Sequence, residues 1–190
     1  MSAQRDVPIA VLDANALFPM ALCDLLMRAA LKGIYRAYWN QVILDETERN
    51  LVIQGRATPE GARRRCSNMQ RALPDALVLG YEVHIPLMTN DAKDRHVLAT
   101  AVHVGASVIV THNLRHFPAH ALAPHRIEAQ SADTFLNSLF TMDPDTVARI
   151  IAEQSERLQN PPQSVEQVLD NLSLEAPTFV RAIRERMRQP

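Results

Sequence analysis

At 190 residues the chain is long enough for one domain with a substantial core and a small appendage, but too short for two ordinary domains. Its composition, 47% hydrophobic and 22% charged, is that of a folded globular protein and argues against general disorder. The net charge of −1 gives no overall sign of nucleic-acid binding, although local positive charge near a site can be enough to bind a polyanion.

The sequence contains no visible targeting or membrane signal. No basic N-terminal region precedes a long apolar stretch, and no apolar run approaches the roughly 18–20 residues that a membrane span needs. Cys23 and Cys66 lack the spacing of zinc ligands, and we interpret them as reduced thiols. We therefore expect a cytoplasmic protein with no membrane contact.

Short apolar strands alternate with helices over the first two thirds of the chain. The pattern predicts strands at residues 7–12, 35–39, 107–110 and 127–129, with a weaker candidate at 77–83. It predicts helices at residues 17–32, 42–53, 59–73 and 90–104, with stop signals at Gly33, Pro74 and Gly105. This alternation is typical of an α/β protein, in which helices cover both faces of a parallel sheet.

The pattern changes after Asp143-Pro144. Residues 145–187 show only helical periodicity, which is broken at Pro161-Pro162 and at Pro177. We predict one domain at residues 1–142 and an extension of two or three helices at residues 143–190. The apolar positions of these helices predict that they pack on the domain or on a second copy of the chain.

Three acidic residues stand where a cation site could form. Asp13 follows a predicted strand, Glu46 lies within a helix, and Asp94 lies near the start of another helix. Carboxylates that converge repel one another unless a cation lies between them, and hard cations such as Mg²⁺ and Mn²⁺ prefer oxygen ligands. A cation there could activate water for phosphodiester hydrolysis. Each acid taken alone also fits a turn, a helix cap or a solvated helix face.

Four motifs occur in a fixed order between about residues 7 and 135. They are an apolar strand followed by Asp13-Ala14-Asn15, the helical Glu46, the pattern D-x-x-φ-φ-A-x-A (φ is apolar) at Asp94–Ala101, and an apolar strand followed by Thr111-His112-Asn113. In this order and spacing the chain resembles the PIN-domain family, in particular the VapC-like toxins of bacterial toxin–antitoxin pairs. The resemblance implies a three-layer α/β/α fold with a central, mostly parallel sheet, and a metal-dependent endoribonuclease.

The resemblance also implies roles for individual residues. Asp13 and Asp94 would hold Mg²⁺ or Mn²⁺, and Glu46 and Asn113 would complete the catalytic group. Many family members have aspartate at the last position, so Asn113 departs from the pattern and adds no charge. Asp91, one helical turn from Asp94, is a candidate for the missing acid. Residues expected to support the cation ligands or to contact the substrate are Asn15, Asp91, Thr111, Arg95 and Arg115.

Two groups of basic or metal-binding side chains leave alternatives open. His112, His116 and His120 recur at intervals of four, which on one continuous helix would suit a transition metal. Because Pro118 interrupts such a helix, we favour a loop at the rim of the site that contacts RNA. The run Arg63–Arg65 either contacts phosphate or forms a solvated helix face.

RNA as the substrate and a small antitoxin protein as the inhibitor also follow from the resemblance, and we expect a homodimer. Two other functions remain open. One is an RNA-binding or scaffold PIN domain without catalysis, although such proteins typically lose one of the first three acids, and this chain retains all three. The other is a magnesium-dependent phosphatase of the haloacid-dehalogenase kind, which usually needs a second acid where this chain has Asn15.

Overall fold

The structure, a computed structural model, describes residues 7–158 and 161–188. Four strands of this part of the chain form one parallel sheet in the order β2-β1-β3-β4. The strands are β1 (Ile9–Leu12), β2 (Arg36–Tyr38), β3 (Val108–Val110) and β4 (Glu128–Gln130). In the centre of the sheet, Val11 pairs with Tyr38 on one side and with Ile109 on the other. The predicted strands at these four places are confirmed.

Helices connect and cover these strands. They are α1 (Ala14–Leu17), α2 (Met20–Leu31), α3 (Gln41–Ile53), α4 (Pro59–Ala72), α5 (Arg95–Val104), α6 (Ala119–Leu122), α7 (Ala132–Met142), α8 (Pro144–Arg157), α9 (Val165–Ser173) and α10 (Pro177–Arg188). Short 3-10 helices lie at Pro74–Ala76, Tyr81–Leu87, Ala92–Asp94, Leu114–His116 and Ala123–His125. Strands and helices thus alternate along the chain up to β4, as the sequence predicts.

The order of the strands places helices on both faces of the sheet. From β1 the chain moves across the sheet to β2, which lies on one side of β1. It then returns past β1 to β3, which lies on the other side. Because crossovers between parallel strands are right-handed, the helices of these two connections cover opposite faces. Accordingly, α2 packs on β2, whereas α5 packs on β1 and β3. The predicted three-layer α/β/α fold is confirmed.

The predicted strand at residues 77–83 is wrong. Only Leu77 pairs, through a single parallel bridge to Trp39. Gly80 then adopts a φ of +79°, and the 3-10 helix Tyr81–Leu87 follows. Leu79 and Val83 are 72% and 71% exposed, so the apolar residues of this segment do not all face the core. The turn at Gly80 therefore outweighs the β propensity of its neighbours.

Two predicted helices begin later than expected. The helix predicted at 17–32 is divided, because α1 ends at Leu17 and α2 begins after Pro19, which lacks the N–H that a continuous helix needs. The helix predicted at 90–104 opens as the 3-10 turn Ala92–Asp94 and becomes α-helical only at Arg95. The stop signal at Gly105 is confirmed by its φ of +64°, a left-handed helix end.

The C-terminal helices pack on the rest of the chain. Buried apolar residues from Ala10 to Ile183 form one continuous core. Lys32 of α2 lies 2.7 Å from the Glu153 carboxylate of α8. The Asp133 carboxylate of α7 accepts a hydrogen bond from the Phe179 backbone N–H at 2.8 Å, in the first turn of α10. The predicted packing is thus confirmed, whereas the boundary at residue 142 stays a prediction.

Two further features concern the whole described part of the chain. Cys23 and Cys66 are free and buried, as expected of reduced thiols. Within residues 7–158 and 161–188, no helix has the length and apolar character required to cross a membrane.

A buried amide joins α3 to α5. The Asn40 Oδ1 accepts a hydrogen bond from the Ile43 backbone N–H at 2.8 Å and so caps α3. The Asn40 Nδ2 donates to Thr100 Oγ1 at 2.8 Å and to the His96 carbonyl at 3.1 Å, both in α5. Because α3 carries Glu46, this one side chain sets where that acid lies relative to α5.

We expect Asn40→Ala to lower the free energy of unfolding by about 2–3 kcal/mol, because it removes a helix cap and also the donor for buried acceptors in α5. The matched control is Ser131→Ala, which removes the cap of α7 alone and should cost about 1 kcal/mol. Urea denaturation followed by circular dichroism measures both losses. Equal losses in the two variants would show that the bridge from Asn40 to α5 contributes nothing.

Candidate active site

The site forms at the edge of the sheet where parallel strands end. Asp13 follows β1 and Thr111 follows the adjacent β3, so the two side chains meet although 98 positions separate them in sequence. The Asp13 backbone N–H donates to the Val110 carbonyl at 3.0 Å, which extends the pairing of the strands into the site. The Thr111 hydroxyl donates to Asp13 Oδ2 at 2.6 Å. Strand pairing therefore fixes the first candidate acid.

Asp13 is buried, with 3% of its surface exposed. Its Oδ1 accepts from the Ala14 backbone N–H at 2.7 Å, and its Oδ2 accepts from Asn15 Nδ2 at 2.7 Å as well as from Thr111. Burial raises the pKa of Asp13, and the hydrogen bonds from Thr111 and Ala14 oppose that rise. The carboxylate is thus held in one orientation, and it also caps α1.

Asn15 and Thr111 hold the loop after β3 against Asp13. The Asn15 Oδ1 accepts from the His112 backbone N–H at 2.8 Å, and its Nδ2 donates to Thr111 Oγ1 at 3.1 Å. The Thr111 hydroxyl accepts in turn from the Asn113 backbone N–H at 3.0 Å. Asn15, Thr111 and Asn113 therefore lie beside the first acid, where the motifs predict them.

Helix α3 brings Glu46 toward the other acids. Its side chain is 26% exposed. Burial, followed by the negative charges of Asp13 and Asp94, raises the pKa of Glu46 from 4.5 to about 7, and Arg49 opposes this rise. Asp94 also raises the pKa of Asp13. Three acids from separate elements are thus close enough to repel one another.

Asp94 lies within a second group of possible ligands. Its Oδ2 is 2.5 Å from His116 Nδ1. One ligand atom each from Asp91, Asp94 and His116 lie within 4.8 Å of one another, a spacing that could hold a cation. Asp91 also caps the short helix Ala92–Asp94, since it accepts from the Lys93 backbone N–H at 3.0 Å. The structure thus places Asp91 beside Asp94 and adds His116.

The histidines of the rim face different partners. His112 Nε2 lies 3.3 Å from the Glu175 carboxylate of the C-terminal extension. His116 turns toward the acids, and His120 is exposed on α6. Pro118 separates the 3-10 helix that carries His116 from α6. These histidines therefore do not share the helix face on which the zinc alternative depends.

The arginines divide into two kinds. Arg95 is partly exposed and directly follows Asp94 in sequence. Arg115 is exposed and directly precedes His116. Both remain predicted RNA contacts. Arg65, from the basic run in α4, instead donates to backbone carbonyls at the end of α1, which ties it to the fold.

His96 was not among the residues predicted from the sequence. Its side chain is only 10% exposed, and its Nε2 lies 3.7 Å from Glu46 Oε2. Burial lowers the pKa of His96, and the carboxylates of the site oppose that change. His96 occupies a variable position of its motif, so the motif gives no signal. Its spacing from the buried Ala99 and Thr100 does place it on the inner face of α5.

Comparison with known proteins agrees with this geometry. The sequence model of the PIN domain matches residues 10–115, and that of the VapC50 C-terminal domain matches residues 132–185. A protein of Mycobacterium tuberculosis named "Putative ribonuclease VapC50" is 38% identical over 112 residues, which are 59% of this chain and 66% of that protein. The aligned region thus leaves about a third of that relative unmatched. No solved structure gives a significant match.

The PIN-domain match covers more than half of the 190 residues. It includes all four motifs, with Asp13, Glu46, Asp94 and Asn113. The parallel sheet, its helical layers and the acids at its carboxyl edge agree with it. This chain belongs to the PIN-domain family.

Proposed function

We propose that this protein is an endoribonuclease that hydrolyses RNA phosphodiester bonds with Mg²⁺ or Mn²⁺ bound at Asp13, Glu46 and Asp94. The proposal rests on three carboxylates, one after β1, one in α3 and one just before α5, that lie near enough for the charges of Asp13 and Asp94 to raise the pKa of Glu46. A cation between such groups turns their repulsion into attraction. Family membership, and the word ribonuclease in the name of the relative, support RNA as the substrate.

The donor set fits a hard divalent cation. Asp13 and Asp94 would hold it, and Glu46 would complete the group. A bound cation would lower the pKa of a coordinated water and neutralise charge that builds on the phosphoryl oxygens. Thr111 keeps the Asp13 carboxylate turned into the site. Without the cation, burial and the neighbouring carboxylates raise the pKa of Glu46 to about 7, so cation binding should release a proton from this carboxyl near neutral pH.

Other residues would bind and orient the substrate. Arg95 and Arg115 carry the forked donors that suit phosphate. Arg95 directly follows Asp94 in sequence, and Arg115 donates to His116, whose ring contacts Asp94. The Asn113 side chain can orient a water or the substrate without adding charge. A carboxylate oxygen of Asp91 lies within 4.8 Å of one of Asp94, which supports Asp91 as the acid that the fourth motif lacks.

We further propose that the protein is the toxin of a toxin–antitoxin pair. The match of residues 132–185 to the VapC50 C-terminal domain supports this role, as does the name of the relative. The proposed partner is a small antitoxin, and the homodimer and the cytoplasmic location also remain proposals. Expression of the protein alone should arrest growth, and co-expression of a short neighbouring reading frame should relieve the arrest. No relief by any adjacent frame would count against the pairing.

The two rival functions have less support. A binding-only role does not need three acids held in mutual repulsion. A phosphatase of the haloacid-dehalogenase kind needs a second acid two residues after Asp13. That position is Asn15, and both ends of its amide are engaged by the loop after β3.

We expect Asp13→Asn and Asp94→Asn each to reduce RNA cleavage by at least about 100-fold, because each removes a cation ligand at nearly constant volume. Cleavage of a fluorogenic RNA with Mn²⁺ measures the loss, and circular dichroism checks that the fold is retained. The control is Asp145→Asn, an exposed acid of α8 that pairs with Arg186, which should keep full activity. Wild-type activity in either site variant would refute the mechanism.

The raised pKa of Glu46 gives the apo protein a characteristic pH dependence. The folded state holds this proton more tightly than the unfolded chain, since the pKa rises from 4.5 to about 7 on folding. The free energy of unfolding contributed by this group is therefore highest below pH 4.5 and falls as the pH rises to about 7. Partial exposure limits the fall to the order of 1–2 kcal/mol.

We expect Glu46→Gln to remove this fall and to be more stable than the wild type at pH 8 without divalent cations. Urea denaturation in EDTA at several pH values measures the effect, and the difference between the two proteins isolates Glu46. Glu48→Gln, on the same helix, should retain the wild-type slope. If Glu46→Gln also keeps that slope, the three acids do not interact as the structure indicates.

A further inference from the structure

The His96 imidazole has a ring nitrogen without a partner. Among the described residues, its Nε2 is buried and has no hydrogen-bond partner. In the neutral ring with the proton on Nδ1, the lone pair is on Nε2. That lone pair faces the carboxylates of the site.

The distance from His96 Nε2 to Glu46 Oε2 is 3.7 Å. This is too long for a hydrogen bond, which needs about 2.7–3.2 Å. Two ligand atoms at about 2.1 Å from one cation, with bond angles of about 90–120°, lie about 3.0–3.6 Å apart. The observed spacing is thus close to that of two ligands of the same ion, and a positive charge between them would satisfy both lone pairs.

His116 differs from His96 in this respect. Its Nδ1 lies 2.5 Å from Asp94 Oδ2, a hydrogen-bond distance. Its Nε2 accepts from Arg115 Nε at 3.3 Å. Both ring nitrogens of His116 therefore have protein partners, and binding a cation would break one of these contacts. His96 could bind a cation without losing any partner.

The charge around His96 also favours a cation. The negative charges of Asp13 and Asp94 act on this imidazole, and Glu46 faces it directly. A buried nitrogen lone pair beside three acids is unfavourable unless a positive charge offsets it. A nitrogen ligand also changes which metal the site prefers. Mg²⁺ takes oxygen ligands and gives up its waters reluctantly, whereas imidazole suits first-row transition metals. Mn²⁺ belongs to that series and also suits carboxylate oxygens, so it fits a site with both kinds of ligand better than Mg²⁺ does.

We propose that His96 Nε2 and Glu46 Oε2 bind the same divalent cation, so that the site has a nitrogen ligand and prefers Mn²⁺ to Mg²⁺. This inference rests on the proposed cation-dependent function and deepens it, because it names an additional ligand and the preferred metal. His96 is then a ligand of the metal centre.

Electron spin-echo spectroscopy of the full chain loaded with Mn²⁺ tests the proposal, because it detects ¹⁴N bound directly to the ion. We expect ¹⁴N modulation in the wild type and its loss in His96→Gln, whose amide can still offer an oxygen. The same variant should bind Mn²⁺ at least about 10-fold more weakly while Mg²⁺ binding changes little. The matched control is His116→Gln, which should keep the modulation.

The outcomes separate this inference from the proposed function. A wild-type protein that binds neither Mn²⁺ nor Mg²⁺ contradicts both. Mn²⁺ binding without ¹⁴N modulation overturns the inference alone, as does modulation that survives in His96→Gln or disappears in His116→Gln. If His96→Gln does not fold, the wild type and His116→Gln are labelled with ¹⁵N-histidine instead. The inference then requires the ¹⁵N modulation pattern in both proteins, and its absence from either one overturns the inference.

Discussion

Mutual repulsion among the carboxylates of Asp13, Glu46 and Asp94 is the constraint that the rest of the structure has to oppose. Each acid is attached to a separate element, and each element is held in place by contacts away from the site. Pairing of β1 with β3 holds Asp13, and the Asn40 bridge holds α3 against α5. Because these contacts are buried and hydrogen-bonded, the acids cannot move apart without disrupting the core.

The C-terminal extension takes part in the same arrangement. Its helices share one hydrophobic core with the rest of the described chain, and the Glu175 carboxylate lies 3.3 Å from His112 Nε2 in the loop after β3. The backbone of that loop is fixed by Asn15, which also contacts Asp13. The extension therefore contacts the loop that carries Asn113. Most of the extension lies within residues 132–185, which match the model of the VapC50 C-terminal domain.

Local sequence was enough to predict the features that depend on chain direction and strand ends. Asp13 and Thr111 could be placed together because parallel strands end at the same edge of the sheet. The role of Asn40 and the position of His96 depend instead on how α3 packs against α5, which no local pattern encodes. The strand prediction for the segment after Leu77 was wrong for a related reason. The apolar residues of this segment have the pattern of a strand, but Gly80 turns the chain.

The neutral Asn113 is consistent with the charge balance of this particular site. It lies beside Thr111 and thus on the side of Asp13, whose pKa is already raised by burial and by Asp94. A fourth carboxylate there would add repulsion where the site is most buried and where water can least screen it. Asp91 carries its charge on the exposed side, next to His116, where solvent and an imidazole both reduce the cost. A carboxylate on the exposed rim, such as that of Asp91, therefore costs less energy to hold near Asp94 than a carboxylate at position 113 would cost beside Asp13.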